Sequence, residues 1–117
     1  MLKIKRVYEI AEANDGIRFF VERLWPRGIS KEKLQMQAWL KDISPSASLR
    51  SWYGHDLNKW KEFQERYRTE LANNSVHLQP ILDAMEQRNV TLLYSAHDIE
   101  HNSALVLKSF LEGYQKS

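Results

Sequence analysis

Two clusters of polar side chains in this sequence could do chemistry. In ERLWPRG (residues 22–28) Arg23 and Arg27 flank a Trp-Pro pair, and in SAHDIEHN (residues 95–102) Ser95, His97, Asp98, His101 and Asn102 come after an apolar run. Guanidinium forks match the oxygens of phosphate or carboxylate. A helix starting after Asp98 would add oriented N–H groups that favour an anion. The Trp25 indole offers a face for stacking on a base or sugar. Imidazole ordinarily titrates near neutrality, so His97 or His101 suits proton transfer, and Asp98 could orient a histidine or act as the base. His55, next to Asp56, could form a third wall. The candidate catalytic residues are therefore Asp98, His97 and His55; the candidate ligand-binding residues are Arg23, Trp25, Arg27, Ser95 and Asn102.

Each of these has a plainer role available. Glu22 and Arg23 could form a structural ion pair, Trp25-Pro26 could seal the core, and Asp98 could be a helix cap. His97 and His101 are four residues apart, but the glutamate placement of the zincin motif is missing and no metal is expected. Arg50 is ambiguous, while Trp52, Trp60, Phe63 and Tyr67 read as core. The chain has no cysteine, which excludes disulfides, thiolate nucleophiles and zinc-thiolate sites and fits a reducing compartment. There is neither a glycine-rich phosphate loop nor a dinucleotide fingerprint, so no cofactor is expected.

The elements that must hold these groups can be read from pattern. Residues 4–10 and 17–24 read as strands, the second central because Phe19, Phe20 and Val21 are contiguous, with Asn14-Asp15-Gly16 supplying a turn that tolerates positive φ. The connection between them is too short for a helical crossover and leaves an antiparallel pairing open. Ser30 can cap a short helical turn, and residues 34–40 alternate as a half-buried strand would. Ser44 or Ser46 can start a helix that Gly54 ends. From Asp56 onward Trp60, Phe63, Tyr67 and Leu71 form one helical stripe. Leu78, Ile81, Leu82 and Met85 share a face of the next helix, VTLLY (90–94) is a compact strand, and the chain closes on a largely apolar helix. Strands alternating with helices predict an α/β domain over residues 1–117, a three-layer sandwich-like arrangement with a small, mainly parallel sheet and flanking helices. In such sheets ligands collect beyond the carboxyl ends of the strands. The segments at 22–28 and 95–102 would share one rim if their strands are parallel neighbours.

The net charge of +2 is unevenly spread: residues 1–33 carry eight basic and five acidic side chains, while residues 83–100 carry four acids against Arg88. That asymmetry permits an anionic ligand, whereas a dedicated DNA binder has a stronger basic face. No stretch approaches a membrane span and the first residues lack the pattern of a signal peptide, so a bacterial-type cytoplasmic protein is the expectation.

Taken together, RFFVERLWPRGISKE, WLKDISPSASLRSWYGHD, the Trp60–Phe63–Tyr67 stripe and VTLLYSAHDIEHNSALVL resemble the YeaO-like proteins within domain of unknown function 488, over nearly the whole chain and in the same order. The resemblance implies a compact α/β domain of prokaryotic type and assigns it no reaction. The family's Asp-Arg-Leu-Trp-Pro-Arg-Gly is matched from Arg23 to Gly28, with Glu22 in place of the aspartate. Its Ala-Arg-Asp appears as Ala96, His97 and Asp98, so a role of that arginine does not pass to His97. Asn102 matches an asparagine typical of the family. Longer relatives carry cysteines near the last strand; this chain has none and inherits no thiol chemistry. The leading expectation is a binder of a phosphorylated or other anionic small ligand, a nucleotide or sugar phosphate, with hydrolysis by Asp98 or a histidine as its possible reaction. The alternative is a nucleic-acid-associated regulatory or partner-binding module without catalysis; in a purely structural or partner-binding module the rim arginines would be paired off in a salt-bridge network.

Overall fold

The computed structural model describes residues 1–115. Four strands form one sheet: β1 (Leu2–Arg6), β2 (Ile17–Phe20), β3 (Ala38–Trp39) and β4 (Val90–Tyr94), in the spatial order β1-β4-β2-β3 and all parallel. The open question of an antiparallel β1–β2 pair is thus resolved: the two do not pair, because β4 lies between them. β4 aligns Leu92 with Ile4 on one side and with Phe19 on the other. Every residue of β4 is buried, as expected of a central parallel strand.

Alternation divides the sheet into two faces. Phe19, Val90, Leu92 and Tyr94 point into the main core. That core is roofed by α2 (Ala47–Tyr53), α3 (Trp60–Asn73), α4 (Gln79–Gln87) and α5 (Ser103–Gln115). Val7, Phe20 and Leu93 point the other way, into a smaller cluster with Leu34, Trp25, Ile29, Met36 and Trp39. The layer on this second face is thin, built from the 22–39 segment and the single-turn α1 (Lys31–Leu34). The α/β architecture and the parallel sheet are as the pattern of elements predicts.

Ser30 caps α1, its Oγ accepting the Lys33 N–H at 3.2 Å. The strand expected over residues 34–40 shrinks to two residues. Leu34 belongs to α1, Gln35 turns through φ 54°, and the Arg18 guanidinium takes the Leu34 and Gln35 carbonyls at 3.0 and 2.8 Å. Those carbonyls are then lost to any ladder, so only Ala38 and Trp39 reach β2. The α3 stripe behaves as the spacing demands: Phe63, Tyr67 and Leu71 are buried while Trp60 is half-buried. Tyr67 donates its hydroxyl to the Ile43 carbonyl at 2.7 Å inside the core, and burial pushes its ionisation far above the usual tyrosine range. Tyr67→Phe strands that carbonyl. We expect a loss of about 1–2 kcal/mol in urea unfolding, and an unchanged midpoint would show that the bond contributes nothing.

Candidate functional site

β2 and β4 are parallel neighbours, so the segments leaving them emerge on the same edge of the sheet. A cleft of about 990 Å³ opens there, at the upper end of small-molecule sites. All eight residues predicted from the sequence line it, but they differ in what their polar atoms are free to do.

The carboxylates are already committed. Glu22 accepts both the backbone N–H of Ser95, at 3.0 Å, and its hydroxyl, at 2.5 Å. This bridge ties the end of β2 to the end of β4 and occupies Ser95, a candidate ligand contact by sequence. Asp98 accepts the N–H groups of Glu100 and His101 at 2.9 and 3.0 Å and faces the His101 imidazole at 3.0 Å. Those backbone donors, the Glu100 N–H first, and the imidazole hold its carboxyl below the usual range. Asp98 is therefore a turn cap with weakened basicity.

Asn102 is spent too. It is only 5 % exposed, gives its amide N–H to the Asp98 carbonyl and accepts the Leu105 N–H, both at 3.0 Å. It, and not Asp98, caps α5, so the helix begins some four residues later than the sequence suggests. The Trp25 indole N–H donates to the Ile29 carbonyl at 2.7 Å, and the ring packs edge-on against Phe20 and Trp39. This tryptophan, offered by the sequence as a stacking face, is half-buried and shared between the cleft and the second core cluster.

The cations are in the opposite condition. Among the described residues Arg23, Arg27 and Arg50 form no salt bridge. The Nε atoms of Arg23 and Arg50 are buried with no protein acceptor, and the sole hydrogen bond of the Arg23 guanidinium is a long one, 3.5 Å, to the Pro45 carbonyl. Arg27 is exposed at the mouth, its backbone carbonyl accepting the Tyr8 hydroxyl at 3.1 Å. The paired-off network that would have made the rim purely structural is absent for these three. His55 and His97 line the cleft as exposed side chains. His55 sits in a left-handed turn with φ 58°, directly after Gly54 ends α2.

Four contributors lie outside the predicted set. Arg50 and Tyr53 are three apart in the last turn of α2, and so share a face directed at the cleft; that spacing is the signal the sequence offers. The Tyr53 hydroxyl has no partner among the described residues, and burial, then the nearby Asp98 charge, raise its ionisation. Trp60, which reads as core, lines the cleft while lying nearly parallel to Phe63 at 5.6 Å. Arg6 acts from outside, holding the Ser95 and Ala96 carbonyls at 3.1 and 3.0 Å and so fixing the start of the 95–102 segment.

Known proteins agree with the resemblance read from the motifs. Residues 1–117 match the family described as "Inactive DUF488-N3 subclade". The chain is 41 % identical over 110 residues to the uncharacterized protein YeaO of Escherichia coli, covering 94 % of this chain and 96 % of that protein. It is 35 % identical over 112 residues to the uncharacterized protein Rv3073c of Mycobacterium tuberculosis, covering 96 % of this chain and 94 % of that one. No solved structure matches it. On this similarity, which runs the length of the molecule, the chain belongs to the YeaO-like proteins of the DUF488 family, within the DUF488-N3 group whose description is inactive.

Proposed function

We propose that this protein binds a small anionic ligand, a phosphorylated compound such as a nucleotide or sugar phosphate, in the cleft at the carboxyl ends of β2 and β4, and holds it without turning it over. The observation that carries this reading is the imbalance of the site. Its carboxylates are engaged from within, Asp98 through both oxygens and Glu22 through one, whereas among the described residues the buried Nε atoms of Arg23 and Arg50 have no acceptor. An unmet buried donor on a charged group costs more than a neutral one, and a bound anion removes that cost.

Binding is favoured over hydrolysis assisted by Asp98 because of the state of that carboxylate. Asp98 is held below the ordinary carboxylate range by its own turn, so it is a poor proton acceptor near neutrality. The description of the family group as inactive points the same way.

Calorimetric titration with inorganic phosphate tests the reading. The wild-type protein should bind saturably, and Arg23→Ala and Arg50→Ala should each weaken binding about tenfold or more, the range expected for losing a charge-assisted hydrogen bond. Affinity should fall with added salt. Absence of saturable binding, or wild-type affinity in both variants, would overturn the proposal.

A further inference from the structure

The cleft has a second character besides charge. Beyond the guanidiniums its wall is aromatic: Tyr53 from α2 packs on Phe63 at 4.5 Å, and Trp60 and Phe63 from α3 lie 17° from parallel. Tyr53 and Phe63 are buried, 8 % and 3 % exposed, but Trp60 is only half-buried and borders the open space. His101 meets the Trp60 ring edge-on at 5.3 Å, perpendicular to it, and is itself pinned by Asp98 at 3.0 Å. The indole thus packs against Phe63, His101 and Tyr53, the last with its ring centroid 5.9 Å away. No cation lies over its ring among the described residues, in contrast to Trp25, Trp39 and Trp52, which carry Lys31, Lys41 and Arg66.

A rigid aromatic surface beside unpaired guanidiniums is suited to a molecule with a planar ring at one end and an anion at the other. A sugar offers hydroxyl groups, yet Asp98 spends both carboxylate oxygens within its own turn and Glu22 spends one of its two on Ser95, which leaves few acceptors for them. An aliphatic tail would gain area but would not use the planarity of the indole. We infer that the anionic group of the ligand carries a planar aromatic or heteroaromatic ring, as in a nucleoside monophosphate, and that this ring stacks on Trp60 while Arg23 and Arg50 take the phosphate. The inference rests on the anion-binding reading above and narrows its ligand to the aryl and nucleoside phosphates, setting aside the plain sugar phosphates.

Three probes separate the two levels: inorganic phosphate, ribose 5-phosphate and adenosine 5′-monophosphate, titrated calorimetrically. Stacking of one base on an aromatic side chain is worth roughly fivefold to 150-fold in affinity. We expect the nucleotide to bind at least about tenfold more tightly than ribose 5-phosphate, with ribose 5-phosphate close to inorganic phosphate. Trp60→Ala should remove the nucleotide's advantage and leave phosphate affinity as it was, and Trp60→Phe, which keeps a stacking ring and the packing on Phe63, should retain most of the advantage. Equal affinity for nucleotide and ribose 5-phosphate would overturn the inference with the anion site intact. So would a nucleotide advantage that survives Trp60→Ala, or one that Trp60→Phe abolishes in folded protein. Failure of all three probes to bind would overturn the anion site itself.

Discussion

Asp15→Ala lowers the stability of this protein by about 3–5 kcal/mol, a melting-temperature drop on the order of 10–20 °C for a domain of this size. Asp15 is fully buried on the second face of the sheet, at the opposite end of the strands from the cleft. One carboxylate there answers three cations: Lys3 at 2.9 Å and Lys5 at 3.2 Å from β1, and Arg18 at 2.5 Å from β2. It also accepts the Glu12 N–H at 3.1 Å, and its carbonyl takes the Thr91 hydroxyl of β4 at 2.8 Å. β1, β4 and β2 therefore all converge on a single residue. Truncation leaves Arg18 and Lys5, 7 % and 8 % exposed, beside a missing counter-charge. Breaking one side of a buried ion pair is costly for that reason, more than the net value of the pair itself. Asp15→Asn keeps the shape and loses the charge, so its deficit should fall between those of wild type and Asp15→Ala.

The same network fixes the pH dependence. Burial alone would raise the Asp15 carboxyl, but Lys3, the Glu12 N–H, Lys5 and Arg18 outweigh it and hold the group well below the usual carboxylate range. A carboxyl depressed on folding contributes stability that is fully present above its unfolded value, about 3.9, and is lost as the pH falls through the folded one. Urea midpoints of wild type and Asp15→Ala should thus differ by a constant amount from pH 5 to 7 and converge below about pH 4. Parallel curves down to pH 2 would show that Asp15 is not the titrating anchor. Because the lesion lies at the amino end of the strands, phosphate affinity of the folded fraction should not change.

The two ends of the sheet are unequally legible in the sequence. The cleft end is readable because its logic is local: contiguous apolar residues mark β2 and β4, and the segments leaving parallel strands fall on one edge of their sheet. That reasoning brings Arg23, Trp25, Arg27, His97 and Asp98 together without any contact being known. It cannot see how the polar atoms are spent. The Glu22–Ser95 bridge spans 73 residues, and the capping role of Asn102 depends on where α5 begins, a boundary that pattern places only to within a few residues. The network end is nearly invisible. In AEANDG (residues 11–16) the composition says turn, which it is, but nothing local says that the aspartate turns inward to meet side chains from two strands. Lys5 and Arg18, charged residues inside two strands, both turn to that carboxylate. The strand expected at residues 34–40 fails for the same reason, since Arg18 captures its first carbonyls.

Gly16→Ala should be nearly as damaging as the loss of Asp15, at about 2–6 kcal/mol, and by a mechanism free of charge. Gly16 has φ 66° and ψ −133°, a conformation that side-chain-bearing residues adopt only under strain. A methyl group there would also lie 2.0 Å from the Asn89 carbonyl oxygen and 2.6 Å from its carbon. That carbonyl cannot retreat cheaply, because it accepts the Ile17 N–H at 2.9 Å and the next residue, Val90, donates to the Met1 carbonyl at 2.9 Å. These bonds set where β2 and β1 begin against β4, so moving Asn89 disturbs both central pairings at once. Gly28 supplies the control: its φ is 79°, but nothing lies within 4 Å of an added methyl, so Gly28→Ala should cost only the conformational part, about 1–2 kcal/mol. Urea unfolding of the two variants side by side separates strain from collision. Equal destabilisation would mean that the approach of Gly16 to Asn89 is not what sets the register, and that the sheet can shift to admit the methyl at little cost.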